Sequence, residues 1–171
     1  MKRHAMGILL SILGLTACIS TASAVDNEGY TPVVQTPDMI TVFIHNINQQ
    51  GGRMTLQADP IQWFEGKAAD AEFLKDEPDA GEDGAPDGYY IVNDDEKLET
   101  FEVDPQADVM MQIYDHTGSL VQGTTEWNQA ISLAKFNAIY HQNGLIDVSQ
   151  YPYHLTIKDG KVVRIVQQFI P

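Results

Sequence analysis

A single cysteine, Cys18, serves the whole 171-residue chain, and it lies at the end of an apolar N-terminal run. No disulfide can close within one such chain, and no thiolate cage for a metal can form. Whatever fold results must be held by apolar side chains gathered from distant segments. The composition allows this, since 43% of the residues are hydrophobic, an ordinary globular level. The length suits one domain. With 24 acidic against 10 basic side chains the formal charge is −14, which opposes a phosphate backbone, so no nucleic-acid partner is expected.

Met1-Lys2-Arg3-His4 is basic and precedes the apolar stretch Met6 to Ala17. A bilayer span needs about 20 apolar residues, so the layout is that of a secretory signal peptide. Two processing points compete. Ala22-Ser23-Ala24 is a small-residue cleavage signature that makes residues 1–24 the leader. Leu15-Thr16-Ala17-Cys18 resembles a bacterial lipobox, which makes residues 1–17 the leader and Cys18 a lipidation site. The expected location is exported: periplasmic or secreted in the first case, lipid-anchored to the cell envelope in the second. Membrane contact is expected only through that anchor, each buried methylene contributing about 0.8 kcal/mol.

Residues 25–38 carry two prolines and few large apolar side chains and are expected to be a tether. Residues 39–171 are expected to form a single β-rich domain. Met39 to Ile44 and Arg53 to Ala58 flank Gln49-Gln50-Gly51-Gly52 as a hairpin, the second strand extending or bending at Pro60. Lys67 to Lys75 has the composition of a short helix. Residues 76–88 hold six acids, three glycines and no large apolar residue, the pattern of a solvated loop. Tyr89 to Val92, Leu98 to Val103 and Val109 to Tyr114 read as strands, with Asp104-Pro105 ending the second. Apolar residues from Trp127 to Ile139 recur at helical spacing and predict one main helix from Thr125 to His141, closed by Gly144. Asp159-Gly160 between two β-branched runs predicts a terminal hairpin.

Strands joined by turns imply an antiparallel sheet. The fold class is therefore mainly β (α+β), a small antiparallel barrel or curved sheet with one main helix. Three strand regions before that helix and two after it are OB-like in element order.

Seventeen of the 24 acids lie between Asp59 and Asp108. Asp76, Asp79, Asp83 and Asp87 stand in the glycine-rich loop, where carboxylates can converge on calcium. An EF-hand register begun at Asp79 has Gly81 and Tyr90 where acids belong, so a solvated loop is the stronger reading and calcium a weak one. The four histidines after the leader are too widely spaced for a local metal motif. No G-x-S-x-G elbow occurs. Carboxylates such as Glu65 and Asp94 offer an acid and base pair for an envelope hydrolase, a reading that requires them to lie about 5–9.5 Å apart.

Trp63-Phe64, Tyr89-Tyr90 and Tyr151-Pro152-Tyr153, if extended, place one ring on each face of a strand. One ring then packs inward while its partner meets solvent beside acids, a surface suited to a sugar or a cationic peptide. Candidate ligand-binding residues are Trp63, Tyr89, Tyr90, Asn93, Asp94 and Tyr153. The expectation is a non-enzymatic, exported binding or envelope-associated domain whose negative surface favours a cationic protein or peptide, or a divalent cation.

Asp87-Gly88-Tyr89-Tyr90-Ile91-Val92-Asn93-Asp94, the segment Gln62 to Ala69, and the Tyr153-His154-Leu155-Thr156-Ile157-Lys158-Asp159-Gly160 hairpin continuing to Pro171 resemble segments of small exported bacterial proteins and lipoproteins of unassigned function. The resemblance covers most of residues 39–171. It implies an exported single domain and implies no catalytic residue.

Overall fold

The computed structural model describes residues 30–116, 126–142 and 146–170. The leader, both processing points and Cys18 lie outside the described residues, as do Thr124, Thr125 and Gly144. In chain order the elements are β1 (Met39–Gln50), β2 (Arg53–Glu65), α1 (Lys67–Asp76), β3 (Tyr89–Val92), β4 (Glu99–Met111), β5 (Gln129–Ile131), α2 (Leu133–Tyr140), a 3-10 turn at Val148–Gln150, β6 (Pro152–Lys158) and β7 (Lys161–Gln167). No helix among the described residues is long and apolar enough to cross a membrane.

Five strands close on themselves. β1 pairs with β2, β2 with β4, β4 with β7, β7 with β6, and β6 returns to β1. β3 extends the far end of β2, and β5 lies against the end of β4. The result is the small barrel expected, with α2 between its third and fourth strands as in an OB-type order. One pairing departs from the antiparallel expectation: β4 and β7 run parallel. Parallel neighbours need a long crossover, and the path from β4 through β5, α2 and β6 supplies it.

The barrel interior is filled by alternate residues. Val42 and Ile44 of β1, Met54, Leu56 and Ala58 of β2, Tyr153 and Leu155 of β6, and Val162 of β7 are all buried in one cluster. Ile47 follows Ile44 by three positions, which would turn it outward in a regular strand. A bulge between Ile44 and Asn46 absorbs one residue, so Ile47 points inward again. Phe136 of α2 plugs the cluster, fully buried, its ring 5.7 Å from that of Tyr153.

Pro60 does not break β2. Its outer edge pairs with β4 as far as Ala58 and with β3 from Gln62. Pro60 sits in the gap between those partners, a tolerated place for a residue without an N–H. β4 likewise runs through Asp104-Pro105, which the sequence pattern marks as a stop. Between Val103 and Asp108 its register against β7 slips, and the Asp104 carboxylate accepts from Gln106 N at 2.8 Å, holding a bulge in which the exposed Pro105 is harmless.

The main helix is shorter than its periodicity predicts. Asn128 takes a left-handed φ of 55°, Gln129–Ile131 pair with β4, and only Leu133 to Tyr140 is helical. The cause is a distant clamp: Gln112 Nε2 donates to Asn128 Oδ1 at 3.0 Å, and Asn128 N donates to Gln112 Oε1 at 2.8 Å. Ser132 then starts the helix, its hydroxyl accepting from Lys135 N. At the terminal hairpin Asp159 and Gly160 both have positive φ, 51° and 77°, as a two-residue I′ turn requires.

The acidic segment after α1 has no helix or strand up to Tyr89. It is tied down at two points, one of them the Gly88 carbonyl, which accepts from Gly66 N at 2.9 Å. Asp70 of α1 accepts from Ala85 N at 3.1 Å, and Gly84 passes so close that any Cβ there would collide with the Asp70 carboxylate.

Candidate functional site

The β2–β3 ribbon places its rings by register. Trp63 pairs with Ile91 and Glu65 with Tyr89, so Trp63, Glu65, Tyr89 and Ile91 share one face, while Phe64 and Tyr90 occupy the other. Trp63 and Tyr89 are diagonal neighbours, and their rings stack 4.8 Å apart at 12°. Tyr90 turns to α1 and meets Phe73 edge-on at 5.7 Å. The expectation of one ring on each face therefore describes both ring pairs of this ribbon.

The stacked pair forms one wall of a cleft of about 200 Å³. Glu65, Asp87, Gln168, Phe169 and Tyr30 complete it. Neither lysine nor arginine lines it among the described residues, and it carries two carboxylates. Trp63 Nε1 donates to Glu65 Oε1 at 3.0 Å, which fixes the indole edge and the carboxylate together. Burial, with the Asp87 carboxylate adding to it, pushes the Tyr89 hydroxyl above its ordinary value. Burial does the same for Tyr30, with Glu65 also raising it against the opposing Gln168 contact. Both phenols thus stay protonated at neutral pH.

Tyr30 belongs to the segment expected as tether, yet it is held firmly. Its ring lies 4.9 Å from Trp127 and 5.7 Å from Phe169, and Trp127 meets Phe169 edge-on at 4.9 Å. Below them runs a buried polar chain. Gln168 Nε2 donates to Tyr30 Oη and to the Phe169 carbonyl, at 3.0 and 2.7 Å, leaving Gln168 Oε1 as an acceptor. His154 Nε2, 2.7 Å from that oxygen, therefore carries the proton. His154 Nδ1 then accepts from Thr41 Oγ1 at 2.9 Å and from Gln35 Nε2 at 3.1 Å. The imidazole is neutral and satisfied, and burial holds its pKa below the ordinary value against weaker opposing effects of Gln168 and Glu65.

The other expected residues scatter. Tyr153 is a correction: its ring is fully buried in the barrel core and its hydroxyl donates to the Val148 carbonyl at 2.9 Å, so it meets no ligand. Tyr153 shares the inward face of β6 with Leu155, two positions on, and both lie in the core cluster. Asn93 lies apart from the aromatic cleft, donating to Asp59 Oδ2 at 2.7 Å. Asp94 is exposed. β3 ends at Val92, opposite Gln62, so Asp94 lies past a point already about 10 Å along the ribbon from Glu65. The pair expected for acid and base is not brought together. Asp76, Asp79, Asp83 and Asp87 are exposed, and no group of three or more His, Cys, Asp or Glu side chains converges among the described residues.

Sequence reasoning passed over Tyr30, Trp127, Gln168 and Phe169. The available signal was Tyr30, the large aromatic residue of an otherwise proline-rich and polar stretch. Comparison of the chain with family models, with curated proteins and with solved structures returned no match.

Proposed function

We propose that this protein is an exported, non-enzymatic binding domain whose aromatic cleft takes a cationic peptide side chain, with arginine as the best fit. One observation carries the reading: the near-parallel Trp63–Tyr89 stack bordered by Glu65 and Asp87, with no lysine or arginine lining the cleft among the described residues. An arginine guanidinium stacks on aromatic faces and pairs with a carboxylate in the same pose. The cleft volume of about 200 Å³ suits one such head group rather than a folded partner surface. The overall charge of −14 draws cationic partners towards the domain and repels anionic ones.

The test is a tryptophan-fluorescence and calorimetric titration of the full chain with an oligo-arginine peptide, an oligo-lysine peptide and a neutral oligosaccharide. Oligo-arginine is expected to bind more tightly than oligo-lysine, weaken with salt, and lose at least tenfold in affinity in Trp63→Ala and in the double variant Glu65→Gln, Asp87→Asn. Equal binding by wild type and both variants would overturn the reading. Preference for the oligosaccharide would replace the peptide by a sugar.

A further inference from the structure

A second cleft, of about 490 Å³, opens where β1 bulges at His45 and shares no lining residue with the aromatic one. Its wall includes Asp59, a carboxylate only 3% exposed. Asp59 Oδ2 accepts from Asn93 Nδ2, whereas Oδ1 has no hydrogen-bond partner among the described residues. Buried charges in folded proteins are paired, and a carboxylate left with an empty oxygen is the exception that asks for a reason. Glu96 stands on the same wall, and no lysine or arginine does. Phe43 and Tyr140 add aromatic surface beside the two acids. Tyr140 is fixed there because its hydroxyl donates to the Ile44 carbonyl.

The donor set selects among cations. A hard metal ion takes six to eight oxygens, and no cluster of three metal-binding side chains exists here among the described residues. A guanidinium prefers both oxygens of one carboxylate, but Asn93 already occupies Oδ2. A primary ammonium is a compact charge with three donors. Asp59, Glu96 and Asn93 all line the cleft and each keeps an oxygen able to accept, that of Asp59 being buried and unpartnered, while Phe43 and Tyr140 suit an alkyl stem.

We propose that this cleft binds a primary alkylammonium group, with Asp59 Oδ1 as its buried anchor. A lysine side chain and a free aliphatic amine present the same chemistry. The test titrates the full chain, by calorimetry and by amide NMR, with Nα-acetyl-lysine methylamide and with 1,5-diaminopentane. Nα-acetyl-arginine methylamide, tetramethylammonium and calcium chloride serve as comparators. At least one amine is expected to bind and to shift the Asn93 side-chain amide. Tighter binding of the lysine derivative assigns a protein partner, and tighter binding of the diamine a free amine. Asp59→Asn is expected to weaken binding tenfold or more. The exposed Glu96→Gln is expected to weaken it about threefold, which serves should Asp59→Asn fail to fold. Tetramethylammonium, the arginine derivative or calcium shifting the Asn93 side-chain amide as strongly as the amines do would overturn the proposal, as would an unaltered Asn93 shift in both acid variants or no Asn93 shift by either amine.

Discussion

Replacing Phe136 by alanine tests the barrel where it is most exposed to failure. Helix α2 has eight residues, and Phe136 is its one fully buried side chain. Leu133, Ile139 and Tyr140 pack only partly against the core. A helix this short has little stability of its own, so its place depends on that ring, which lies 5.7 Å from Tyr153 and 6.2 Å from Tyr140. Removing a buried phenylalanine side chain costs about 3–5 kcal/mol, the transfer free energy plus the cavity left behind. Set against the roughly 5–15 kcal/mol that holds a domain together, this is a large fraction. The melting temperature, followed by circular dichroism, is expected to fall by roughly 10–15 °C. Ala138→Gly, on the exposed face of the same helix, is expected to cost only about 1 kcal/mol. A Phe136→Ala loss below about 1 kcal/mol, or one no larger than that of Ala138→Gly, would refute the claim that α2 closes the core through this ring.

Stability should also depend on pH through His154, whose folded pKa lies below its ordinary value. The unfolded chain then binds a proton that the folded chain refuses, so stability is complete above about pH 6.5 and declines as pH falls below it. Chemical denaturation from pH 7.5 to 5 measures the slope, which His154→Gln should flatten. Gly84→Ala should cost about 1–2 kcal/mol by displacing Asp70 from Ala85 N. In the Asp70→Ala background the same change should cost much less, a coupling that a double-variant melting cycle reads directly. Gln112→Ala should free Asn128 and loosen β5, seen as faster amide exchange at Gln129–Ile131; unchanged exchange would show that the clamp is not what shortens the helix. Because Asp76, Asp79, Asp83 and Asp87 are exposed and do not converge, melting curves with excess calcium and with chelator should coincide. A ligand at 100 times its dissociation constant would add about 2.7 kcal/mol and separate them plainly.

Local pattern alone determined much of this protein. β-branched and aromatic runs beside turn residues mark β1, β2, β6 and β7, the Asp159-Gly160 turn sets the last hairpin, and loop composition keeps residues 77–88 out of helix and strand. That Trp63 and Phe64, like Tyr89 and Tyr90, face opposite ways was legible too, since neighbouring residues of an extended strand must do so, whereas the stacking of Trp63 on Tyr89 depends on the β2–β3 register. These features follow from backbone geometry within a few residues. Tertiary structure decided the rest. Periodicity tells a side chain which face it occupies and not what lies across from it, so the parallel β4–β7 pairing was invisible. The same reason hid the Gln112 clamp that ends the helix at Asn128, the route from Tyr30 through Gln168 to His154, and the buried oxygen of Asp59. Each joins positions far apart in the chain, and only closing the barrel brings such positions within reach of one another.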